Sequence, residues 1–142
     1  MPRWRPKPAQ RAIVSQRAGG CCEYCRSQER YSPDTFSVEH ILPVSKEGSN
    51  ELSNLAFSCQ GCNNRKYVSV FITDPVTQAL VAIYHHRKQA WNDHFAWNGD
   101  FTSILGLTAT GRATVEKLQL NRRGLVNLRG ALYKLKEHPP II

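Results

Sequence analysis

A small α+β domain is what this 142-residue sequence predicts, from three observations. Short β-branched and aromatic runs alternate with helix-like stretches rather than forming one long pattern of either period. Two Cys-x-x-Cys knuckles, Cys22–Cys25 and Cys59–Cys62, bracket the first such strand and lead into a helix. The hydrophobic fraction, 41%, is lean for a chain of this length. A core that modest usually needs a staple, and four thiols in knuckle spacing are an obvious one.

The elements follow in chain order. Residues 1–8 alternate proline with basic and aromatic residues, which predicts an extended arm. Ala9 to Ala18 is a helix stopped by Gly19-Gly20. Phe36 to Ile41 reads as a strand that ends at Pro43. Val44 to Ser53 is a polar loop, after which Leu52, Leu55, Ala56 and Phe57 anchor the return to the second knuckle. A helix begins near Gln60 and carries Asn63, Arg65 and Lys66.

Beyond it, Val68 to Ile72 is apolar and closes at Asp74-Pro75, a turn. Ala79 to Tyr84 reads as a strand. His86 to Phe95 reads as a helix with Trp91 and Phe95 on one face. Asn98-Gly99-Asp100 is a turn, and Phe101 to Leu105 a strand. Thr110 is the expected cap of a helix over Arg112 to Leu120. A last helix runs from about Arg122 to Lys136, with Leu125, Leu128, Leu132 and Leu135 as its apolar stripe and Arg122, Arg129 and Lys136 along one edge. The expected organisation is therefore a basic arm and helix (1–19), a knuckle-bounded core (20–67) and a mostly helical extension (68–142) packed on it as one domain.

Charge is unevenly placed. The net charge is +8, with +5 in residues 1–17, +5 in residues 111–142 and −2 between them. Two basic ends around a slightly acidic centre suit a protein that grips a polyanion with its flanks. No apolar run approaches the length of a membrane span, and the N-terminus has no apolar stretch of the secretory kind. Knuckle cysteines of this sort fit a reducing compartment, so an intracellular, cytoplasmic location is expected.

The knuckles predict a tetrahedral Zn²⁺ held by Cys22, Cys25, Cys59 and Cys62. Cys22 is preferred to Cys21 as ligand because two intervening residues is the commoner knuckle, which leaves Cys21 as a spare thiol. The 33 residues between Cys25 and Cys59 demand a folded element inside the clamp. A metal closed by four thiolates has no open position, so it can hold the fold but cannot activate water. Within the clamp, His40 is suited to be a general base because imidazole titrates near neutral pH. Glu39 is its neighbour on a strand, so the two side chains point to opposite faces unless the strand is twisted.

The runs Cys-Glu-Tyr-Cys (22–25), Val-Glu-His-Ile-Leu-Pro (38–43), Asn-Glu-Leu-Ser-Asn-Leu (50–55) and Cys-Gln-Gly-Cys-Asn-Asn-Arg-Lys (59–66) together resemble the HNH endonucleases. The match covers about residues 20–67, and weaker similarity to small bacterial HNH proteins continues into the tail. The resemblance implies a zinc-stapled, treble-clef-like ββα-metal core that cuts DNA and leaves 5′ phosphate and 3′ hydroxyl ends. It implies that Glu39 and Asn63 hold a catalytic divalent cation. One carboxylate, one amide oxygen and waters favour Mg²⁺ or Mn²⁺. It also implies that Asn54 binds the loop backbone and so orients His40. Many members have a final His where this chain has Asn63, and Asp or His where it has Glu39; both residues keep metal-binding capacity. Arg65 or Lys66 is expected to touch a phosphate as fork or point charge, with Arg122 and Arg129 adding contacts. One site per chain makes nicking natural for a monomer, and paired cuts need a homodimer.

Two other classes compete. A zinc-stabilised nucleic-acid-binding module without catalysis leaves His40, Asn54 and Asn63 without a reason. A protein-interaction module leaves the basic ends without one. Outside the motif, His85, His86 and His94 read as surface or structural residues. Trp91, Phe95 and Trp97 read as core. Trp4, in the basic arm, could enter a nucleic-acid groove.

Overall fold

The computed structural model describes residues 4–141, so Arg3 of the basic arm lies outside the described residues. Among these residues five α-helices and three two-stranded antiparallel sheets make a mixed α/β fold. Helix α1 (Pro8–Arg17) starts where proline's fixed φ suits the first helical position. It stops at Gly19 and Gly20, both in the left-handed region at φ 63° and 70°. The two arginines of α1 turn inward. Arg11 donates to Phe36 O and to Glu29 Oε2, and Arg17 donates to the carbonyls of Leu52 and Leu55. These two cations of the basic arm therefore tie the helix to the core and leave Arg5 and Lys7 exposed.

Strand β1 (Ser37–His40) pairs with β2 (Leu55–Ser58), with Glu39 opposite Ala56 and His40 opposite Leu55. Strand alternation sends Glu39 into the interior and leaves His40 half-buried on the other face. All of β2 is buried, and Phe57 packs on Phe36 at 5.4 Å between ring centroids. Helix α2 (Gln60–Lys66) follows, and the Sγ of Cys59 accepts from Cys62 N at its start. The polar loop contains single 3₁₀ turns at Val44–Lys46 and Leu52–Asn54.

The extension is less helical than its sequence pattern predicts. It opens with the hairpin of β3 (Phe71–Thr73) and β4 (Leu80–Ala82). The predicted helix over 86–95 shrinks to one turn, α3 (Trp91–His94). Phe95 instead begins β5 (Phe95–Trp97), which pairs with β6 (Ile104–Gly106). Trp91 and Phe95 still pack together, at 5.2 Å between ring centroids, so the spacing that suggested a helix face is satisfied across a helix–strand junction.

Helix α4 (Ala109–Leu118) is capped by Thr108, whose Oγ1 accepts from Gly111 N, rather than by Thr110. Thr110 lies in the first turn and donates its hydroxyl to Ala82 O, joining α4 to the hairpin. Helix α5 (Arg123–Lys134) ends the fold, with Leu125 and Leu132 buried and Leu135 exposed. One core runs from Val14, Tyr24 and Phe57 through Trp91 and Phe95 to Ile104 and Leu118, so the extension shares it with the knuckle region. No helix among the described residues is long and apolar enough to cross a membrane.

Candidate metal centre and active-site groove

The four knuckle sulfurs converge. Those of Cys22, Cys25, Cys59 and Cys62 all lie within 4.8 Å of one another, and each residue is buried. Cys25 Sγ and Cys59 Sγ stand 3.7 Å apart. A tetrahedron with metal–sulfur bonds of about 2.3 Å has edges of about 3.8 Å. Donor type, number and spacing therefore fit Zn²⁺. Cys21 lies outside the cluster with its Sγ directed at Gly19 O. Burial pushes its thiol up to about 11, so it stays protonated near neutral pH.

Along β1 and α2 a groove of about 870 Å³ is lined by Trp4, Arg5, Glu39, His40, Asn63 and Tyr67, among others. His40 is held from two directions. Its Nε2 lies 2.7 Å from Asn50 Oδ1, and Trp4 meets its ring edge to face at 4.6 Å. A carbonyl oxygen can only accept, so Nε2 carries a hydrogen, and in the neutral ring that assigns the lone pair to Nδ1. A neutral imidazole in this tautomer can take a proton at Nδ1.

The side-chain hydrogen bonds of Asn54 go to the loop backbone and not to His40. Asn54 is buried beneath the loop, where Oδ1 accepts from Leu42 N and Nδ2 donates to the carbonyls of Leu42 and Ser49. It thus fixes the loop that presents Asn50. The direct partner of His40 is Asn50, which opens the Asn-Glu-Leu-Ser-Asn-Leu run and whose only further local sign is a polar side chain in a loop.

Glu39 reaches the groove from below and is 6% exposed. Tyr24 Oη donates to Glu39 Oε1 at 2.6 Å, and Lys66 Nζ stands 3.6 Å from Oε2. Burial pushes the carboxyl up from its usual range, while the Lys66 ammonium and the Tyr24 hydroxyl oppose that rise. The carboxylate is held by protein groups on both oxygens, a constraint the motif alone does not show.

Two expected phosphate contacts move inside. Lys66 is 0% exposed, and its Nζ donates to the carbonyls of His40 and Ile41, so it braces β1 from beneath. Arg129 is 3% exposed. Its guanidinium donates to the carbonyls of Thr102, Leu120 and Cys25 and lies over Trp97. The spacing explains this: Arg129 is four residues after Leu125 and three before Leu132, which places it within the buried stripe rather than at its edge. Arg122 is half-buried and directs Nη2 at Cys59 Sγ and Nη1 at Cys62 Sγ. Arg65 stays half-exposed, with Nη1 on Gly61 O.

Residues 22–69 match the family model described as HNH endonuclease. Over that stretch the chain is similar to an HNH endonuclease domain. No curated protein and no solved structure matches the chain. The HNH match ends within the turn after α2, and both the cysteine cluster and the groove residues from Glu39 to Tyr67 fall inside it. The family is one of nucleases, hydrolases whose substrate is nucleic acid.

Proposed function

We propose that this HNH protein is a metal-dependent endonuclease that hydrolyses DNA phosphodiester bonds, with His40 as general base. The observation that carries the reading is the placement of His40: its Nε2 is bound to Asn50, which leaves Nδ1 as the nitrogen for proton transfer, on a groove also lined by Asn63 and Glu39. Nδ1 would take the proton of the attacking water, and Trp4 and Asn50 would hold the ring steady meanwhile. Glu39 and Asn63 would hold a Mg²⁺ or Mn²⁺ ion through oxygen donors, and when bound that ion supplies positive charge at the scissile phosphate and the departing 3′ oxygen.

The treble-clef-like ββα-metal reading rests on the β1–β2–α2 order and on the knuckles, one before β1 and one at the start of α2. A Zn²⁺ on the four thiolates would be structural and would add folding free energy directly. Asn54 acts through the loop. Arg5 and Lys7 on the arm and Lys117, Arg123 and Lys134 on the C-terminal helices are exposed, and would give salt-sensitive, largely sequence-independent affinity. Arg65, half-exposed and outside the groove lining, would add a phosphate contact from the face of α2 that carries Gly61.

The test is plasmid conversion by purified protein with Mg²⁺, Mn²⁺ or EDTA, beside a folded, zinc-loaded His40→Ala variant. Metal-dependent nicking that the variant lacks is the expected result. Equal activity in both proteins would remove His40 from the role. Tight DNA binding without cleavage in any divalent metal would move the assignment to a non-catalytic binding module.

A further inference from the structure

Tyr67 occupies a backbone position that disfavours its own side chain. It follows α2 with φ 49° and ψ −115°. Ser69 N donates to Lys66 O at 2.9 Å, so Lys66 to Ser69 is a tight turn with Tyr67 first of its two central residues. That combination is the first central position of a type II′ turn, where glycine is the norm because a Cβ is strained there. The core does not repay that strain, since Tyr67 is 78% exposed and stands outside the hydrophobic cluster. Strain held at an exposed aromatic points to function rather than packing.

The location says which function. Tyr67 lines the same groove as His40 and Asn63, and its N–H donates to Asn63 O, one helical turn back. Arg5 lines the groove too. An exposed ring and a cation beside a candidate phosphodiester site are the parts of a single-strand track, in which bases stack on aromatic faces while the backbone meets positive charge. Paired bases within a duplex have both faces covered by their neighbours, so only an unstacked base can use such a ring.

We infer that Tyr67 is a stacking platform for an unpaired nucleobase next to the scissile phosphate, and that the groove accepts a single-stranded segment. This rests on the nuclease reading for the location of the scissile phosphate, and it adds the substrate's form and a specificity residue. Tyr67→Gly removes the ring and relieves the backbone at once, and Tyr67→Phe keeps the ring.

The experiment measures anisotropy of labelled single-stranded and duplex oligodeoxynucleotides on the full-length, zinc-loaded chain without added divalent metal, alongside melting curves. Tyr67→Gly should weaken single-strand binding about tenfold and duplex binding less than about twofold. Tyr67→Phe should bind like the parent protein, and the melting temperature of Tyr67→Gly should not fall. Unchanged single-strand affinity, equal loss on both substrates, or a lowered melting temperature overturns the inference. Cleavage is scored separately in Mg²⁺ or Mn²⁺. Cutting with no Tyr67 dependence of binding sinks the platform and leaves the nuclease. Tyr67-dependent single-strand binding with no cutting does the reverse. No binding by the parent chain overturns both.

Discussion

Arg122 lies across Gly61, with its guanidinium 3.4 Å from Cys59 Sγ and 3.6 Å from Cys62 Sγ. A Cβ on residue 61 would collide with Arg122 Nη2, so the glycine is what lets the arginine reach the sulfurs. Four thiolates around a divalent ion leave a net negative charge, and a partly buried guanidinium offsets some of it. The start of α5 is thereby tied to the start of α2 through the cluster. Gly61→Ala should push the guanidinium away and speed zinc transfer to a colorimetric chelator by about tenfold. An unchanged release rate would show that Arg122 contributes nothing to metal retention.

Cysteine substitutions should separate ligands from the bystander. Elemental analysis should find one zinc per chain, retained in Cys21→Ser, whose thiol points away from the cluster. Cys25→Ser should lose the metal and the cooperative melting transition together, because the ligand set is part of the fold. Loss of zinc in Cys21→Ser would overturn the assignment of the four ligands.

Asn50 and Asn54 should fail differently. Asn50 is exposed and bonded to His40, so Asn50→Ala should lower kcat by about 10²-fold with little change in melting temperature. Asn54 is buried with three hydrogen bonds to the loop, so Asn54→Ala should cost about 2 kcal/mol of stability. Kinetics paired with denaturant titration would check both. The same loss of stability in each would remove the distinction.

Lys66 and Arg129 should act on stability rather than on affinity. Removing one partner of a buried pair strands the other, and Lys66→Ala should destabilise by about 3 kcal/mol. The slope of log Kd for DNA against log salt should be unchanged in both Lys66→Ala and Arg129→Ala, since neither side chain reaches solvent. A shallower slope in either variant would show that the side chain meets phosphate after all.

Acid sensitivity should be traceable to Asp74. The Arg112 guanidinium and then the Thr77 hydroxyl hold its carboxyl well below the usual carboxylate range. A carboxyl depressed by folding stabilises fully above its unfolded value, near 3.9, and that contribution is lost as pH falls through the folded value. Asp74→Asn should melt below the parent at neutral pH, and the gap should narrow below about pH 3. A gap that stays constant with pH would assign the effect to shape rather than charge.

Much of the knuckle region is legible along the chain because its signals are local. Two residues between cysteines place both sulfurs on one turn, and Gly19-Gly20 stops α1 by backbone preference alone. The period-2 alternation of β1 is enough to put Glu39 and His40 on opposite faces. The extension is harder to read. The apolar spacing of Trp91 and Phe95 serves a helix face and a helix–strand junction equally, and pairing with β6 decides between them.

By itself the sequence singled out the four thiols that cluster, the strand that carries Glu39 and His40 and the residue type of the candidate base, since each depends on spacing within a few residues. Only the tertiary structure decided that Asn50 is the side chain bonded to His40, that Tyr24 and Lys66 hold Glu39, and that Arg129 lies in the core. Those outcomes depend on which polar group from a distant segment arrives first within about 3 Å, and hydrogen bonds are too short-ranged for sequence separation to encode that meeting.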